Sequence, residues 1–185
     1  MGKYYETERL ILKTLSPNEA RESLAYYVSN KAFLGPFEPK REDAFYTLTY
    51  QRELLTDDRR SMLDGHSLRL WIYLKEDKGL GRPIGNFAFS NIIRGVFLNC
   101  FLGYKLDGGY LNKGYMTEAL GKGIEVIFDE YKLHRIEANI MPRNKASLAV
   151  VEKLGFYNEG LAKDYLCING VWEDHIHMVL LNKKI

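Results

Sequence analysis

The chain has 185 residues, of which 46% are hydrophobic and 27% are charged, so it is not a disordered, collagen-like or coiled-coil protein. Its 26 Lys and Arg residues nearly balance its 24 Asp and Glu residues, for a net charge of +2, which excludes a dedicated nucleic-acid coat and predicts no direct DNA binding. The length predicts a single domain over residues 1–185 that buries its own core.

The sequence carries no signal for export or for membrane insertion. The first six residues, MGKYYE, lead into no apolar stretch, and no window approaches the roughly 18 to 20 apolar residues of a membrane-spanning helix. Cys100 and Cys167 both lie in apolar runs, which indicates two buried, reduced thiols rather than a disulfide. We therefore expect a cytoplasmic protein without membrane contact.

The first part of the chain combines a helix-capping signal with a strong break. Ser16-Pro17-Asn18-Glu19 has the spacing of a capping box with proline at the first helical position, which predicts a helix start at Pro17. Leu34–Pro39 holds two prolines and a glycine and predicts an irregular segment. The elements predicted up to residue 65 are a strand over Glu8–Lys13, a helix over Pro17–Val28 and a helix from about Arg41 to Gly65.

The rest of the chain first shows the two-residue period of strands and then alternates helices with strands. Apolar residues alternate with other residues over Leu68–Leu74, a turn is predicted over 78–83, and Asn169-Gly170 is a strong hairpin signal. The predicted elements are strands Leu68–Leu74, Ile84–Ile93 and Val96–Leu106, helix Gly114–Glu130, strand Arg135–Ile140, helix Lys145–Leu154, and strands Tyr157–Ile168 and Glu173–Leu181. The order βααβββαβαββ predicts an α/β (α+β) fold with a mixed sheet and a crossover between two parallel strands.

A glycine-containing loop between a predicted strand and a predicted helix is the first candidate site. Such a loop leaves backbone N–H groups free at the positive end of the helix, which suits a phosphate or pyrophosphate, and Gly114 lets the backbone approach the anion closely. The loop is neither a P-loop nor a dinucleotide fingerprint, and a turn that simply requires glycine is the alternative. Asn144 and Ser147 open a second helix after a parallel strand, so both helix starts should face one crevice.

These segments resemble the acetyl-CoA-binding motifs of the GNAT N-acetyltransferase superfamily, and the strand order agrees with it over nearly the whole chain. Ser90–Gly95, Leu102–Tyr104, Asn139–Lys145 and Glu159–Leu166 resemble the RimJ/RimL-type branch, which acetylates the N-terminal α-amino group of ribosomal proteins, with RimJ acting on an N-terminal alanine. The resemblance implies the GNAT fold, a mixed central sheet splayed between two parallel strands and flanked by helices. It also implies acetyl-CoA as cosubstrate, no metal, and a protein N-terminus, such as that of a ribosomal protein, as acceptor.

The resemblance further implies which residues bind the cofactor. They are Tyr104, Lys105, Leu106, Asn112, Lys113, Gly114, Tyr115, Met116, Thr117, Asn144 and Ser147. The family loop usually reads Gln or Arg, two residues, Gly, one residue, then Gly or Ala, whereas this frame reads Leu111 to Met116 and keeps only the central Gly114. One side-chain contact to the pyrophosphate is therefore lost from the loop, the backbone cradle remains, and Lys113 could supply compensating charge.

Acetyl transfer to an amine needs a base for the ammonium, an acid for the leaving thiolate and a group that polarises the thioester carbonyl. By resemblance, a β-bulge near Tyr104 opens the gap between the parallel strands, and a backbone N–H near Tyr104 or Lys105 polarises the carbonyl. By resemblance too, Ser147 is the acid. The carboxylate that serves as base in RimL-type enzymes falls on Leu166 here, so that assignment does not carry over.

Glu137 is the catalytic candidate that replaces this base, acting through water, with a structural salt bridge as the alternative. Phe37 and Glu38 lie where the family shapes its acceptor pocket, and an ordinary loop is the alternative there. His175 and His177 share a strand face but have no third ligand at recognisable spacing, so we interpret them as packing or hydrogen-bonding residues.

The sequence therefore predicts an acetyl-CoA-dependent N-acetyltransferase, a monomer or homodimer, in which the amine attacks directly and no covalent enzyme intermediate forms. Two alternatives stay open. One is transfer to a small amine such as an amino sugar, a polyamine or a drug, and the other is a non-catalytic acyl-CoA-binding or ribosome-associated module.

Overall fold

An eight-stranded sheet is the framework of the structure, a computed structural model that describes residues 2–77 and 81–184. The strands are β1 (Tyr4–Glu6), β2 (Leu10–Lys13), β3 (Leu68–Leu74), β4 (Gly85–Ile93), β5 (Asn99–Leu106), β6 (Arg135–Ile140), β7 (Tyr157–Ile168) and β8 (Val171–Leu181). The helices are α1 (Ala20–Leu34), α2 (Leu48–Leu63), α3 (Tyr115–Asp129) and α4 (Lys145–Lys153). The predicted turn over 78–83 lies partly outside the described residues.

The strand order in the sheet is β1-β2-β3-β4-β5-β6-β8-β7. Neighbouring strands are antiparallel except β5 and β6, which are parallel and are connected through α3. The predicted mixed sheet with one parallel crossover is thereby confirmed.

The two parallel strands pair over a short distance and then separate. Their register joins Asn99, Cys100 and Phe101 to Arg135, Ile136 and Glu137, whereas β6 pairs with β8 along its whole length. The sheet is therefore splayed between β5 and β6, as expected. The bulge predicted near Tyr104 is not found, because Tyr104 keeps a regular register with Phe87.

The irregularity lies instead on β4, between Ser90 and Ile93, opposite Phe101 and Asn99 of β5. Asn91 in this segment has a left-handed backbone with φ 49°. A bulge increases the local twist of a strand. This bulge lies opposite Asn99 and Phe101, the stretch of β5 that pairs with β6 just before the two strands separate.

The two faces of the sheet carry different residues. On the face that we call the α3 face, Phe87, Cys100 and Ile136 pack with Leu120 of α3 and Val151 of α4 in one apolar cluster. On the opposite face, which we call the α1 face, Trp71 of β3 packs with Tyr26 and Tyr27 of α1 and Leu55 of α2.

The register extends the α1 face across the sheet beyond the helices that define it. Trp71 pairs with Asn86 and Asn86 with Lys105, so all three side chains share that face. Phe101, four residues before Lys105 and therefore on the same face, pairs with Glu137. Asn139, two residues after Glu137, pairs with His177 and completes the row.

Several predicted elements differ from the structure at their ends. The chain has an additional strand, β1, which the polar sequence around it does not signal. Helix α1 begins at Ala20 rather than Pro17, since Pro17–Glu19 forms a 3₁₀ turn. It continues to Leu34 rather than Val28, because the first strong break is Pro36, which disfavours helix before it. Helix α2 begins at Leu48, since Asp43–Tyr46 forms a separate 3₁₀ turn and Thr47 is the N-cap.

The prediction that both cysteine thiols are buried is wrong for one of them. Cys100 is buried on the α3 face, whereas Cys167 is exposed, and both are free. Cys167 pairs with Trp172 near the tip of the β7–β8 hairpin, and Trp172 is itself 63% exposed, so this end of the hairpin extends beyond the core.

Candidate active site

The loop that opens α3 presents its backbone at the carboxyl end of β5. Gly114 is the N-cap, with φ 78° in the left-handed region that favours glycine, and it is followed by the 15 residues of α3. Asn112 is also left-handed, with φ 60°. The loop is fixed at its start by Asp107, whose buried carboxylate accepts a hydrogen bond of 2.8 Å from the N–H of Gly109. Free N–H groups at such a helix start favour an anion.

Arg9, at the start of β2, anchors the same loop from a distant part of the chain. Its Nη1 donates to the carbonyl of Lys113 at 2.9 Å, and its Nε donates to Glu118 in the first turn of α3 at 2.7 Å. The guanidinium also lies over the ring of Tyr115, 4.7 Å from its centroid. Burial acts to raise the pKa of Glu118, but hydrogen bonds from Thr7 and Arg9 prevail and lower it. The carboxylate therefore stays charged and holds Arg9 beside the loop.

After Phe101, every second residue of β5 directs its backbone N–H and C=O groups into the gap between β5 and β6. Asp107 donates its N–H to the carbonyl of Ile84 on the β4 side at 2.8 Å. Because the N–H and C=O groups of successive strand residues point to opposite sides, Leu106 and Tyr104 direct theirs toward β6, and Lys105 directs its own toward β4. The gap next to Leu106 and Tyr104 is thus lined by backbone donors and acceptors.

Tyr104 and Ser147 form a hydrogen-bonded pair across the gap on the α3 face. The Ser147 hydroxyl donates to the Tyr104 hydroxyl at 2.7 Å, and the Tyr104 hydroxyl donates to the Ser147 carbonyl at 2.8 Å. Burial raises the pKa of the Tyr104 phenol far above its usual value, so the phenol stays protonated. Asn144 caps α4 as predicted, by accepting the N–H of Ser147 at 3.2 Å.

The segment between α1 and α2 closes over the other side of the gap. Glu38 forms a largely buried ion pair with Lys105 of β5, and its carbonyl accepts the N–H of Asn169 in the β7–β8 turn at 3.2 Å. Arg143, after β6, donates to the carbonyl of Pro36 at 2.8 Å and pairs with Glu173. Phe37 is 37% exposed beside the Arg143 guanidinium.

Glu137 lies on the α1 face and is engaged by two partners. Its Oε2 is 2.7 Å from the Arg135 guanidinium, and its Oε1 is 3.2 Å from Nδ1 of His177. The side chain of Glu137 is buried. The hydrogen bonds that Arg135 donates to Glu159 and Glu137 raise its pKa, so the guanidinium remains charged.

The described residues contain neither a metal-binding group nor a helix that could span a membrane. These residues contain no group of three or more His, Cys, Asp or Glu side chains arranged to hold a metal ion. None of the helices within 2–77 and 81–184 is long and apolar enough to span a membrane.

The structure brings some of the predicted site residues together and separates others. Tyr104 contacts Ser147, and Lys105 contacts Glu38. Lys113 and Gly114 lie in the loop with Asn112, and Tyr115, Met116 and Thr117 follow in the first turn of α3, where the Met116 side chain is buried in the core. Glu137 lies on the face of the sheet opposite Ser147.

Sequence reasoning missed Arg9 and Arg143 as residues that organise the site. Their partners are 104 and 107 residues away, so no local pattern signals them. It also did not link His177 to Glu137, although the alternation of β6 and β8 puts both on one face.

The splayed sheet with a helix start at the gap defines an acyltransferase fold of the GNAT type. The chain belongs to the GNAT acetyltransferases, since the family model described as an acetyltransferase (GNAT) domain matches residues 9–157.

Within this family the chain is similar to RimJ-type proteins. It is 38% identical to the probable N-acetyltransferase YjcK of Bacillus subtilis, over 94% of each chain. The crystal structure of ribosomal-protein-S5-alanine acetyltransferase from Vibrio fischeri superimposes with a TM-score of 0.92 at 35% identity, covering 98% of this chain and 97% of that one. RimJ of Mycobacterium smegmatis, in complex with CoA-disulfide, gives a TM-score of 0.87 at 26% identity, covering 95% and 83%. The predicted fold and family are confirmed, and the chain is an N-acetyltransferase.

Proposed function

We propose that this acetyltransferase moves the acetyl group of acetyl-CoA to the N-terminal α-amino group of a protein, with a ribosomal protein in the cytoplasm as the natural acceptor. The observation that carries the proposal is the β5–β6 gap, which has a hydroxyl pair on one face and a polar acceptor face on the other. The similarity to a ribosomal-protein-S5-alanine acetyltransferase supports the choice of acceptor.

The residues around the gap fit acetyl-CoA. The αL glycine at position 114 and the first N–H groups of α3 suit a pyrophosphate, and a Cβ added at Gly114 would come within 3.3 Å of Arg9 Nη2. The backbone groups of Leu106 and Tyr104 suit the amide groups of a pantetheine arm. Asn112, Lys113, Tyr115, Met116 and Thr117 complete this cradle with their backbone, and Asn144 orders the start of α4. Bound acetyl-CoA supplies an acetyl thioester that an amine can attack.

The residues around the gap have separate roles in the proposed acetyl transfer. The N–H of Tyr104, which faces the gap, is the better placed of the two candidate donors for the thioester oxygen, because the N–H of Lys105 faces β4. To donate a proton to the sulfur, the Ser147 hydroxyl turns away from Tyr104, and the Tyr104 hydroxyl, 2.7 Å from Ser147 Oγ, can then return a proton to it. Lys105 instead uses its side chain to hold Glu38, so that Phe37 and Glu38 shape the entry for the acceptor. Glu137 supports deprotonation of the amine.

A panel of acceptors tests this function. The purified chain is incubated with acetyl-CoA and either peptides that begin with Ala, Ser or Met or small amines such as spermidine and an aminoglycoside, and thiol release is followed. We expect turnover on peptides that begin with Ala and background rates on the small amines. Turnover confined to small amines would contradict the proposal, and acetyl-CoA binding without turnover on any amine would indicate a binding module.

A further inference from the structure

The α1 face holds an unusual set of buried polar atoms. Among the described residues, the buried side-chain atoms without a hydrogen-bond partner are Tyr26 Oη, Trp71 Nε1, Asn86 Nδ2, Asn99 Oδ1, Asn139 Oδ1 and His177 Nε2. All six belong to side chains on or against the α1 face. Tyr26 and Trp71 are buried in the core beneath α1 and α2, whereas Asn139 and His177 lie on β6 and β8 outside that core cluster. Leaving a buried polar atom unpaired costs about 1–3 kcal/mol, so a ligand that pairs with Asn139 and His177 would relieve that cost.

Two of these atoms lie next to the β5–β6 gap. Asn139 and His177 are directly opposite each other on β6 and β8, so their side chains are neighbours. Asn139 Nδ2 lies 3.4 Å from the Tyr165 hydroxyl, while its Oδ1 has no partner. An open pocket of about 180 Å³ lies beside His177 and is lined by that residue and by Glu159, Gly160, Leu161 and Ala162 of β7.

The contacts of His177 set the orientation of its ring. Glu137 Oε1 is 3.2 Å from Nδ1, which favours the tautomer with the proton on Nδ1 and leaves a lone pair on Nε2. The other oxygen of Glu137 is held by Arg135 at 2.7 Å. Both oxygens of Glu137 are therefore engaged, whereas Nε2 of His177 is an acceptor without a partner among the described residues.

We propose that His177, oriented by Glu137, takes the proton from the acceptor's ammonium group, and that Asn139 Oδ1 binds the same amine. The inference rests on the proposed function and names the proton-accepting atom of that reaction. The N–H bond of the ammonium breaks and an N–H bond forms at Nε2. The freed electron pair of the amine forms the C–N bond with the thioester carbon, and the C–S bond breaks with its pair going to sulfur. The nitrogen then loses a second proton to give the amide, which balances the proton that the sulfur takes up through Ser147. Glu137 stabilises the imidazolium, which then returns its proton to water.

The charged and titratable groups that face His177 come from three strands. They are Arg135 and Glu137 on β6, Glu159 and Tyr165 on β7, and His175 on β8. The Tyr165 ring lies 4.9 Å from the imidazole centroid and packs against it edge-on.

His177→Asn tests the inference, because the amide of asparagine can still donate to Glu137 in place of Nδ1 but offers no group that takes a proton. At about pH 7 we expect kcat on a peptide that begins with Ala to fall by about a hundredfold or more, with KM for acetyl-CoA changed by no more than a few-fold. The loss of kcat should become smaller as the pH rises past about 8, because the α-amino group of the peptide is then already deprotonated when it binds. His175→Asn, on the same strand face, is the matched control and should keep the wild-type pH profile.

The outcomes separate this inference from the proposed function. A folded His177→Asn variant with wild-type kcat, or with the same loss at every pH, would overturn the role of His177 while wild-type turnover still supported the function. Absence of turnover by the wild type on every amine would overturn the proposed function and the inference with it. Melting temperatures of both variants distinguish a folding defect from a lost proton acceptor, and Asn139→Ala, which should raise the peptide KM, supplies a second test.

Discussion

The two faces of the sheet differ in polarity and in how completely their polar atoms are hydrogen-bonded. On the α3 face, Phe87, Phe89 and Cys100 are fully buried in an apolar cluster that α3 and α4 cover. On the α1 face, the side chains of Asn99, Asn139 and His177 are polar, and each holds a buried atom without a hydrogen-bond partner among the described residues. The α3 face is covered by helices, whereas this part of the α1 face is where we propose that the acceptor amine binds.

The same contrast separates the two proton transfers of the proposed reaction. Ser147 and Tyr104 meet on the α3 side of the gap, where the sulfur of the cofactor would be protonated. His177 and Glu137 lie on the α1 side, where the amine would lose its proton. A gap between two parallel strands lets two substrates reach one carbonyl carbon from opposite faces.

The largest effect should follow from breaking the apolar face. Phe89→Ala removes a fully buried ring that packs edge-on against Phe87, and we expect it to lower the free energy of unfolding by about 3–5 kcal/mol. Asn99→Ala on the α1 face should change it by less than about 1 kcal/mol, because Oδ1 makes no hydrogen bond that the variant loses. Denaturant unfolding measures both, and equal losses would contradict the contrast between the faces.

Ser147→Ala probes the acid on the α3 side. We expect kcat to fall about tenfold to a hundredfold with acetyl-CoA affinity within a few-fold, because the variant loses the hydroxyl that we propose protonates the sulfur. The cap of α4 uses the backbone N–H of Ser147, which alanine keeps, so stability should change little. Tyr104→Phe removes the hydroxyl that accepts from Ser147 and reports whether the pair acts as a unit. A Ser147→Ala variant that melts earlier but turns over normally would remove Ser147 from the mechanism.

Gly114→Glu places a negative side chain in the proposed pyrophosphate cradle. We expect acetyl-CoA binding to weaken by at least about 1.4 kcal/mol, a factor of ten. Because φ at this position is 78° and an added Cβ would lie 3.3 Å from Arg9 Nη2, Gly114→Ala serves as the control for backbone strain and crowding without the charge. Calorimetry that shows equal affinity for the wild type and a folded Gly114→Glu variant would remove the loop from the cofactor site.

The cysteines give the smallest but simplest test of burial. Burial raises the pKa of the Cys100 thiol to about 12, so at neutral pH it carries almost no thiolate and lies out of reach. A thiol reagent should therefore modify Cys167 in the native chain and reach Cys100 after unfolding. Peptide mass mapping identifies the modified residue, and rapid modification of Cys100 in the native state would show that the α3 face opens.

Elements with local signals were predictable from the sequence. The capping box holds, since the Glu19 carboxylate accepts the N–H of Ser16 at 2.8 Å. Asn169 and Gly170 both have positive φ, as the predicted two-residue hairpin turn requires. Gly114 occupies the left-handed helix start, because few other residues adopt that conformation without strain. In each case neighbouring residues determine the backbone.

The parts of the site that depend on distant partners were not predictable in the same way. Lys105 was expected to contribute its backbone, but its position on β5 directs that backbone to β4 and its side chain to Glu38, 67 residues earlier. The position of the bulge depends on how β4 and β5 pair, and the pairing of His177 with Glu137 depends on register. Residue types and spacing do not specify these cross-strand geometries.

The most direct test of the account measures both KM values in two variants with matched initial-rate assays. The variants are Phe37→Ala, at the acceptor entry, and Gly114→Glu, at the proposed cofactor cradle. We expect a crossed result, in which Phe37→Ala raises KM for the peptide and leaves KM for acetyl-CoA within a few-fold, and Gly114→Glu does the reverse. Two variants that raise the same KM, or that raise both equally while remaining folded, would contradict the assignment of the two substrates to opposite sides of the gap.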